Sequence, residues 1–214
     1  MLNIKTIVCN QFQENCYIVS DETKEAVVID CGVLFQSEQR ALLEYVKQEQ
    51  LTLKHLIATH GHVDHHFGDA LLWQEYQLKV EVPAADEPLM AKLNEQSMLF
   101  CGEALHTPMP LVGKYLQFTD VITFGSHLLT LIPTPGHTPG SVFFYCEEEG
   151  VVFTGDTLFK MSIGRTDFEL GSFDDIMESL QRVKITLPKE TVVYPGHGPQ
   201  TTISEECRSN PYLR

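Results

Sequence analysis

Apolar and polar positions follow two different periods along the chain, and together they predict an α/β fold. Over the first thirty residues the apolar positions come in short runs between polar turns, which is typical of β-strands, and we predict strands at 4–9, 16–20 and 26–30. Between 36 and 50 the apolar positions lie on one face of a helical projection, which predicts a helix. A β-rich run over 53–59 then ends immediately before His60.

The rest of the chain repeats this order of strands and helices. We predict helices at 67–76 and 84–94 around a strand at 80–83, and an irregular loop over 95–115. Strands are predicted at 121–124, 128–133, 141–145 and 151–154, followed by a helix at 173–187 with Ser172 as its N-cap and a strand at 191–194. Because no flexible linker separates the halves, we expect one domain over 1–214, with two similar layers packed face to face.

The acidic composition and the lack of long apolar runs argue against two classes of binding partner, nucleic acids and membranes. The chain has 15 Lys and Arg against 29 Asp and Glu, a net charge of −14, and no cluster of cations, which argues against nucleic-acid binding. There is no apolar run of about 18 residues to cross a membrane and no apparent signal peptide, so we expect a cytoplasmic protein without a membrane partner. The six cysteines follow no metal or disulfide spacing, and we expect them to be reduced.

One stretch, THGHVDHH over 59–66, concentrates side chains that bind metals. Imidazole nitrogen and carboxylate oxygen suit Zn²⁺ better than Ca²⁺ or Mg²⁺, which prefer oxygen ligands alone. His60 and His62 are two apart, so in an extended segment they project to the same side and can share one metal. Asp64 and His65 lie where the chain turns toward a helix, which favours a second metal beside the first.

Three later loops offer the ligands that this stretch lacks. Residues 135–140 (PGHTPG) carry His137, residues 154–157 (TGDT) carry Asp156, and residues 195–198 (PGHG) carry His197. Each loop follows an apolar strand and presents its His or Asp next to glycine, which lets the backbone approach an ion closely.

In order, the four elements THGHVDH, TPGHTPGS, FTGDTLF and YPGHG resemble the motifs of the metallo-β-lactamase superfamily, and within it those of the glyoxalase II (hydroxyacylglutathione hydrolase) group. The resemblance covers almost the whole chain and implies a four-layer αβ/βα sandwich. It also implies two metals bridged by Asp156, the first held by His60, His62 and His137, and the second by Asp64, His65 and His197.

The same resemblance implies a metal-dependent thioester hydrolase that acts on a small acyl-thiol compound, including glutathione conjugates such as S-lactoylglutathione. Two zinc ions are the expected cofactor, with iron or manganese as alternatives. Such a pair lowers the pKa of a bridging water, so that hydroxide can attack the thioester carbonyl, with Asp64 as the catalytic group that orients it or takes its proton. Arg165 either binds a substrate carboxylate or forms a salt bridge with Asp167.

Several alternatives stay open. Persulfide dioxygenases resemble this pattern but use one iron held by two His and one Asp, and a lactonase, another acyl hydrolase or a non-catalytic metal-binding or sensor protein also fits the motifs. The negative charge disfavours a tRNA-processing nuclease, and the lack of an export signal disfavours a β-lactamase. Full-length glyoxalase II has a C-terminal helical domain that helps to grip glutathione, whereas about 17 residues follow His197 here, and we expect no such domain.

Five other polar residues lie near the motifs or outside them. His66 occupies a variable position of the motif, and we expect it beside a ligand rather than as one. His55 and His106 lie in no motif, and neither does His127. Asp30 is predicted either to bond a ligand histidine or simply to form a turn.

Overall fold

The computed structural model describes residues 1–214 and contains two six-stranded sheets. The strands of the first sheet are β1 Asn3–Cys9, β2 Glu14–Ser20, β3 Glu25–Ile29, β4 Thr52–Ile57, β5 Val80–Pro83 and β6 Lys114–Leu116. They lie side by side in chain order. The first three, all predicted as strands, form an antiparallel meander, and β3 to β6 run parallel to one another.

The second sheet is built entirely from the second half of the chain. The strands in this half of the chain are β7 Val121–Phe124, β8 His127–Pro133, β9 Val142–Cys146, β10 Val151–Gly155, β11 Leu158–Phe159, β12 Ser162–Ile163, β13 Val192–Pro195 and β14 Thr201–Thr202. The order across the sheet is β14-β13-β10-β9-β8-β7, with β11 and β12 forming a separate hairpin. Only β10 and β13 pair in parallel.

Six helices accompany the two sheets. They are α1 Gln36–Gln48, α2 Asp69–Tyr76, α3 Glu87–Met90, α4 Leu93–Cys101, α5 Phe173–Thr186 and α6 Ile203–Ser209, with single 3₁₀ turns at Val63–His65 and Ala84–Asp86. Helix α5 begins where predicted, because the Ser172 hydroxyl accepts a hydrogen bond of 3.2 Å from the Asp175 backbone N–H. No helix combines the length and the apolar character that crossing a membrane requires.

An apolar core lies between the two sheets and holds them face to face. Tyr17 and Ile29 of the first sheet pack in it against Phe124, Phe144 and Phe153 of the second. Burying one such side chain stabilises the fold by roughly 1.5–3 kcal/mol. Two outer cores join α1 and α2 to the first sheet and α5 and α6 to the second. The layers therefore run helix, sheet, sheet, helix, and the predicted αβ/βα sandwich is confirmed.

The predictions for the middle of the chain are partly wrong. The helix expected over 84–94 is broken into a 3₁₀ turn and the short α3, and the region expected to be irregular contains most of α4 and most of β6. Helix α4 buries polar Gln96 and Ser97 beside Leu93, so it lacks the apolar stripe that would have predicted it. The elements after His197, β14 and α6, were also not predicted.

Candidate metal centre

The loop after β4 is fixed by a buried aspartate at the end of β3. Asp30 accepts hydrogen bonds from the Thr59 backbone N–H at 2.7 Å and from the Thr59 hydroxyl at 2.8 Å, and its Oδ2 lies 3.2 Å from His65 Nδ1. Its φ of 53° is a left-handed conformation, in which Asp is enriched. Asp30 thus turns the chain, one of the two roles that the sequence left open, and its carboxyl group faces a candidate ligand without a well-aligned hydrogen bond to it.

The first group of candidate ligands is the predicted histidine triad. His60, His62 and His137 each offer a ring nitrogen, and these atoms lie within 4.8 Å of one another. His62 Nδ1 is 2.8 Å from His137 Nε2, and all three side chains are buried. His137 Nδ1 contacts the Arg165 backbone carbonyl at 2.7 Å, which fixes the ring and leaves Nε2 facing the group.

The second group combines Asp64 and His65 with His197 from the loop after β13. Their ligand atoms also lie within 4.8 Å of one another. Asp64 Oδ2 is 3.7 Å from His65 Nε2 and 3.4 Å from His197 Nε2. The orientation of the His197 ring is fixed by its other nitrogen, Nδ1, which contacts the Phe12 carbonyl oxygen at 3.0 Å.

Asp156, in the loop after β10, lies between the two groups. Its Oδ1 is 3.4 Å from His65 Nε2, and its Oδ2 is 3.6 Å from His137 Nε2 and 3.4 Å from His197 Nε2. One carboxylate therefore faces both triads. The structure has brought all seven predicted ligands together from four loops.

These residues fit a dinuclear metal site. His60 Nε2, His65 Nε2 and Asp156 Oδ1 are buried polar atoms without a hydrogen-bond partner in the protein, an arrangement that native structures avoid unless something binds there. Five imidazoles and two carboxylates are the donors that zinc and iron accept. Shared between two ions, they leave coordination positions for water or substrate.

Histidine pKa values shift in opposite directions in the two groups of candidate ligands. Burial lowers the pKa of His60 well below its usual value and that of His62 to about 3, so both rings are neutral and able to bind a metal. Burial also acts to lower the pKa of His197, but Asp156 and Asp64 outweigh it and raise the pKa to about 10. Negative charge is thus concentrated at the second group.

Two buried carboxyl groups that contact the site have no motif and were not predicted. Asp86 accepts hydrogen bonds from the Gly61 N–H (2.8 Å), the Thr138 hydroxyl (2.7 Å) and the Gly140 N–H (2.6 Å), and so joins the two loops of the histidine triad. Glu14, fully buried at the start of β2, lies behind His65. Their signal in the sequence is only an acidic residue near an apolar run, which many surface positions share.

His66 lies beside the ligands, as predicted. Its Nδ1 is 2.8 Å from Asp69 Oδ2 and its Nε2 is 3.0 Å from the His60 carbonyl oxygen. Both ring nitrogens are therefore engaged within the protein, and the imidazole supports the backbone of a candidate ligand.

A cavity of about 250 Å³ opens over the two groups. Its walls away from the candidate ligands are largely apolar: Phe12, Val63, Phe100, Phe168 and the stem of Arg165. The Arg165 guanidinium lies 4.0 Å from the Phe168 ring centroid and donates two hydrogen bonds of 2.8 Å to Asp167. The salt bridge considered for Arg165 is therefore present at the cavity rim, where both side chains are largely exposed.

Known proteins are similar to this chain in sequence and in fold. The family model described as the metallo-beta-lactamase superfamily matches residues 9–197. The hydroxyacylglutathione hydrolase GloC of Haemophilus influenzae is 34% identical over 221 residues, covering 99% of this chain and 98% of that protein. The probable metallo-hydrolase YqgX of Bacillus subtilis is 30% identical, covering 94% of this chain and 92% of that protein.

Two solved structures are similar over the same length. The BLEG-1 B3 metallo-beta-lactamase has a TM-score of 0.88 and 34% identity, covering 100% of this chain and 99% of the other. TTHA1623, solved in a di-iron-bound form, has a TM-score of 0.86 and 33% identity, covering 98% of this chain and 100% of the other.

Proposed function

The chain belongs to the metallo-β-lactamase superfamily, and from that premise we propose that it is a dinuclear metal-dependent hydrolase of thioesters, with glutathione thioesters such as S-lactoylglutathione among its substrates. The observation that carries the proposal is the pair of triads joined by Asp156 at the floor of one cavity. The full-length similarity to a hydroxyacylglutathione hydrolase supports the substrate class.

In this proposal the seven donors hold two zinc ions, and the di-iron form of TTHA1623 makes iron the alternative. Bound there, two dications supply a Lewis acid for the carbonyl oxygen and lower the pKa of a shared water toward neutrality. Asp64 lies on the cavity side of the second group with its Oδ2 3.4 Å from His197. The proposal therefore gives Asp64 the role of orienting the attacking water and accepting its proton.

The remaining residues bind the substrate and exclude solvent. The aromatic walls formed by Phe12, Phe100 and Phe168 suit an acyl or alkylthio group, which loses little by leaving water. The leaving thiolate needs no general acid, because a thiol has a pKa of about 8.5. Arg165 remains the group proposed to meet a substrate carboxylate, since an exposed ion pair such as that with Asp167 contributes only about 0–1 kcal/mol and opens readily.

The proposal is tested on the purified protein by metal analysis together with three assays. We expect two dications per chain and hydrolysis of S-lactoylglutathione that is lost on chelation and restored by metal. A single iron with oxygen uptake on glutathione persulfide, and no thioester turnover, would overturn it.

A second candidate, β-lactam hydrolysis, is supported by the similarity to the BLEG-1 enzyme. The third assay therefore offers a chromogenic cephalosporin to the same preparation. Turnover of the cephalosporin without turnover of the thioester would replace the first candidate by the second.

A further inference from the structure

The carboxyl group of Glu14 is a buried polar group close to the site that has no hydrogen-bond partner. Its side chain is 0% exposed, and neither Oε1 nor Oε2 has a hydrogen-bond partner in the protein. Burying an unpaired polar group costs roughly 1–3 kcal/mol, more if it is charged. A carboxyl group kept at such a cost calls for an explanation other than the hydrogen bonds of the protein.

The position of Glu14 connects it to the second group of ligands alone. Its Oε1 lies 3.8 Å from His65 Nδ1, the ring nitrogen that faces away from Asp64 and Asp156. Its backbone forms a bridge with His197. None of its contacts reaches the histidine triad of the first group.

The surrounding chain leaves room for this carboxyl group. A Cβ at Gly32 would collide with Glu14 Oε2, so only glycine is compatible with the carboxyl at that place. Asn10 closes the other side, where its amide donates to the carbonyl oxygens of Gly32 at 3.0 Å and of Asp64 at 2.9 Å.

Two carboxyl groups therefore lie behind one imidazole. Asp30 Oδ2 lies 3.2 Å from His65 Nδ1 and Glu14 Oε1 lies 3.8 Å from it, but neither makes a well-aligned hydrogen bond to that nitrogen. A dication on the far side of the ring would favour a negative charge on these two carboxyl groups. Carboxylates behind a metal-binding histidine fix its tautomer and make its free nitrogen a stronger donor.

We propose that Glu14 is a positioning residue for the second metal: with Asp30 it holds the proton on Nδ1 of His65, directs Nε2 to the metal, and selectively strengthens binding at that position. The inference rests on the proposed dinuclear site. The proposal assigns a different buried carboxyl group to each metal position: Asp86 supports the first group of ligands, and Glu14 supports the second.

The decisive variants are Glu14→Met and Glu14→Gln. Methionine has a similar length and no polar atom to leave unsatisfied, so the metal-free E14M protein should melt at or above the wild-type temperature. The glutamine variant keeps the shape of the side chain and removes its charge. A residue needed only for folding would instead give a less stable protein when replaced by methionine.

Each metal-free protein is titrated with Co²⁺, whose visible absorption reports the two positions separately. We expect both variants to bind the second Co²⁺ about tenfold more weakly, the loss typical for a removed carboxylate behind a ligand, with binding of the first unchanged. Glu206→Gln is the control, because Glu206 is equally buried but accepts its hydrogen bonds from Met161, Thr201 and Asn210, away from the ligands.

Wild-type affinity for the second Co²⁺ in both variants would overturn the role of Glu14, and so would an equal loss at both positions. A third Co²⁺ bound by the wild type and lost in E14M would overturn it in favour of a cation site formed by Glu14, Asp30 and His65. Fewer than two ions bound by the wild type would overturn the dinuclear site itself, which distinguishes that failure from the others.

Discussion

Asp86 holds together two loops that are 75 residues apart at His62 and His137. Its carboxylate accepts three hydrogen bonds, from Gly61, Thr138 and Gly140. An amide in its place has one oxygen and an NH₂ group, so at least one of these donors would face another donor. The spacing within the histidine triad therefore depends on a residue that is not a candidate ligand.

We expect Asp86→Asn to lower the free energy of unfolding by about 1–3 kcal/mol and to weaken metal binding at the first position more than at the second. Urea unfolding and metal titration measure the two effects. Asp174→Asn, an exposed change in the first turn of α5, is the control and should stay within about 0.5 kcal/mol. Full stability in D86N would mean that the loops do not need the carboxylate.

Removing a bridging ligand should differ from removing a terminal one. We expect Asp156→Ala to reduce the metal content at both positions and to abolish hydrolysis, because its carboxylate faces both groups. His137→Ala should abolish hydrolysis but mainly empty the first position. Metal analysis checks this, with the exposed His106→Ala as control; wild-type metal content in both variants would contradict the ligand assignment.

Among single residues, the seven candidate ligands were predictable from the sequence, because His and Asp next to glycine at the ends of strands form recognisable motifs. Asp86 and Glu14 were not. Their roles come from which loops and strands meet in space, and a lone carboxylate next to an apolar residue carries no information about that.

Among the elements, strands were easier to predict than short helices. The central strands β2, β9 and β10 are buried on both faces, and β7 alternates between buried and exposed positions, so their apolar pattern comes from the core. Helix α4 is held differently, since Gln96 accepts from the Val63 N–H and donates to the carbonyls of Gly61 and Leu89. A helix held to the ligand loop by an amide has no hydrophobic period to detect.

The start of α5 offers a test at the scale of one element. We expect Ser172→Ala to lower the free energy of unfolding by about 1 kcal/mol, because the hydroxyl satisfies the otherwise free N–H of Asp175. Thermal or urea unfolding measures the change. Ser37→Ala, at an exposed position in the first turn of α1, should change stability far less, and equal losses in the two variants would argue against the cap.

For the whole molecule, an ionic cluster joins the two sheets at the end of β8 opposite His137. His127 Nδ1 lies 2.9 Å from Asp21 of the first sheet's β2–β3 turn, and its Nε2 lies 3.1 Å from Glu149. The Met1 amino group lies 3.2 Å from Glu149 and competes with His127 for this carboxylate. Burial opposes the charged ring, but Asp21 and Glu149 outweigh burial and raise the pKa of His127.

A raised pKa means that the charged His127 stabilises the fold fully below its unfolded pKa of about 6.5 and loses this effect as the pH rises through the folded value. We therefore expect His127→Gln to cost about 1.5 kcal/mol at pH 6 and less at pH 9. Urea unfolding of both proteins at the two pH values measures the difference. A cost that is independent of pH would show that the ring acts by packing alone.

The chain passes from one sheet to the other only once, between Leu116 at the end of β6 and Val121 at the start of β7. Each triad takes ligands from both sides of that crossing. His60, His62, Asp64 and His65 come from the part of the chain before it, whereas His137 and His197 come from the part after it. A chain cut within 117–120 would give two fragments, each with a whole sheet and neither with a whole triad. Bound dications would then stabilise the reassembled halves beyond what the apolar core between the sheets supplies, and the increase in reassembly on adding metal would report metal affinity.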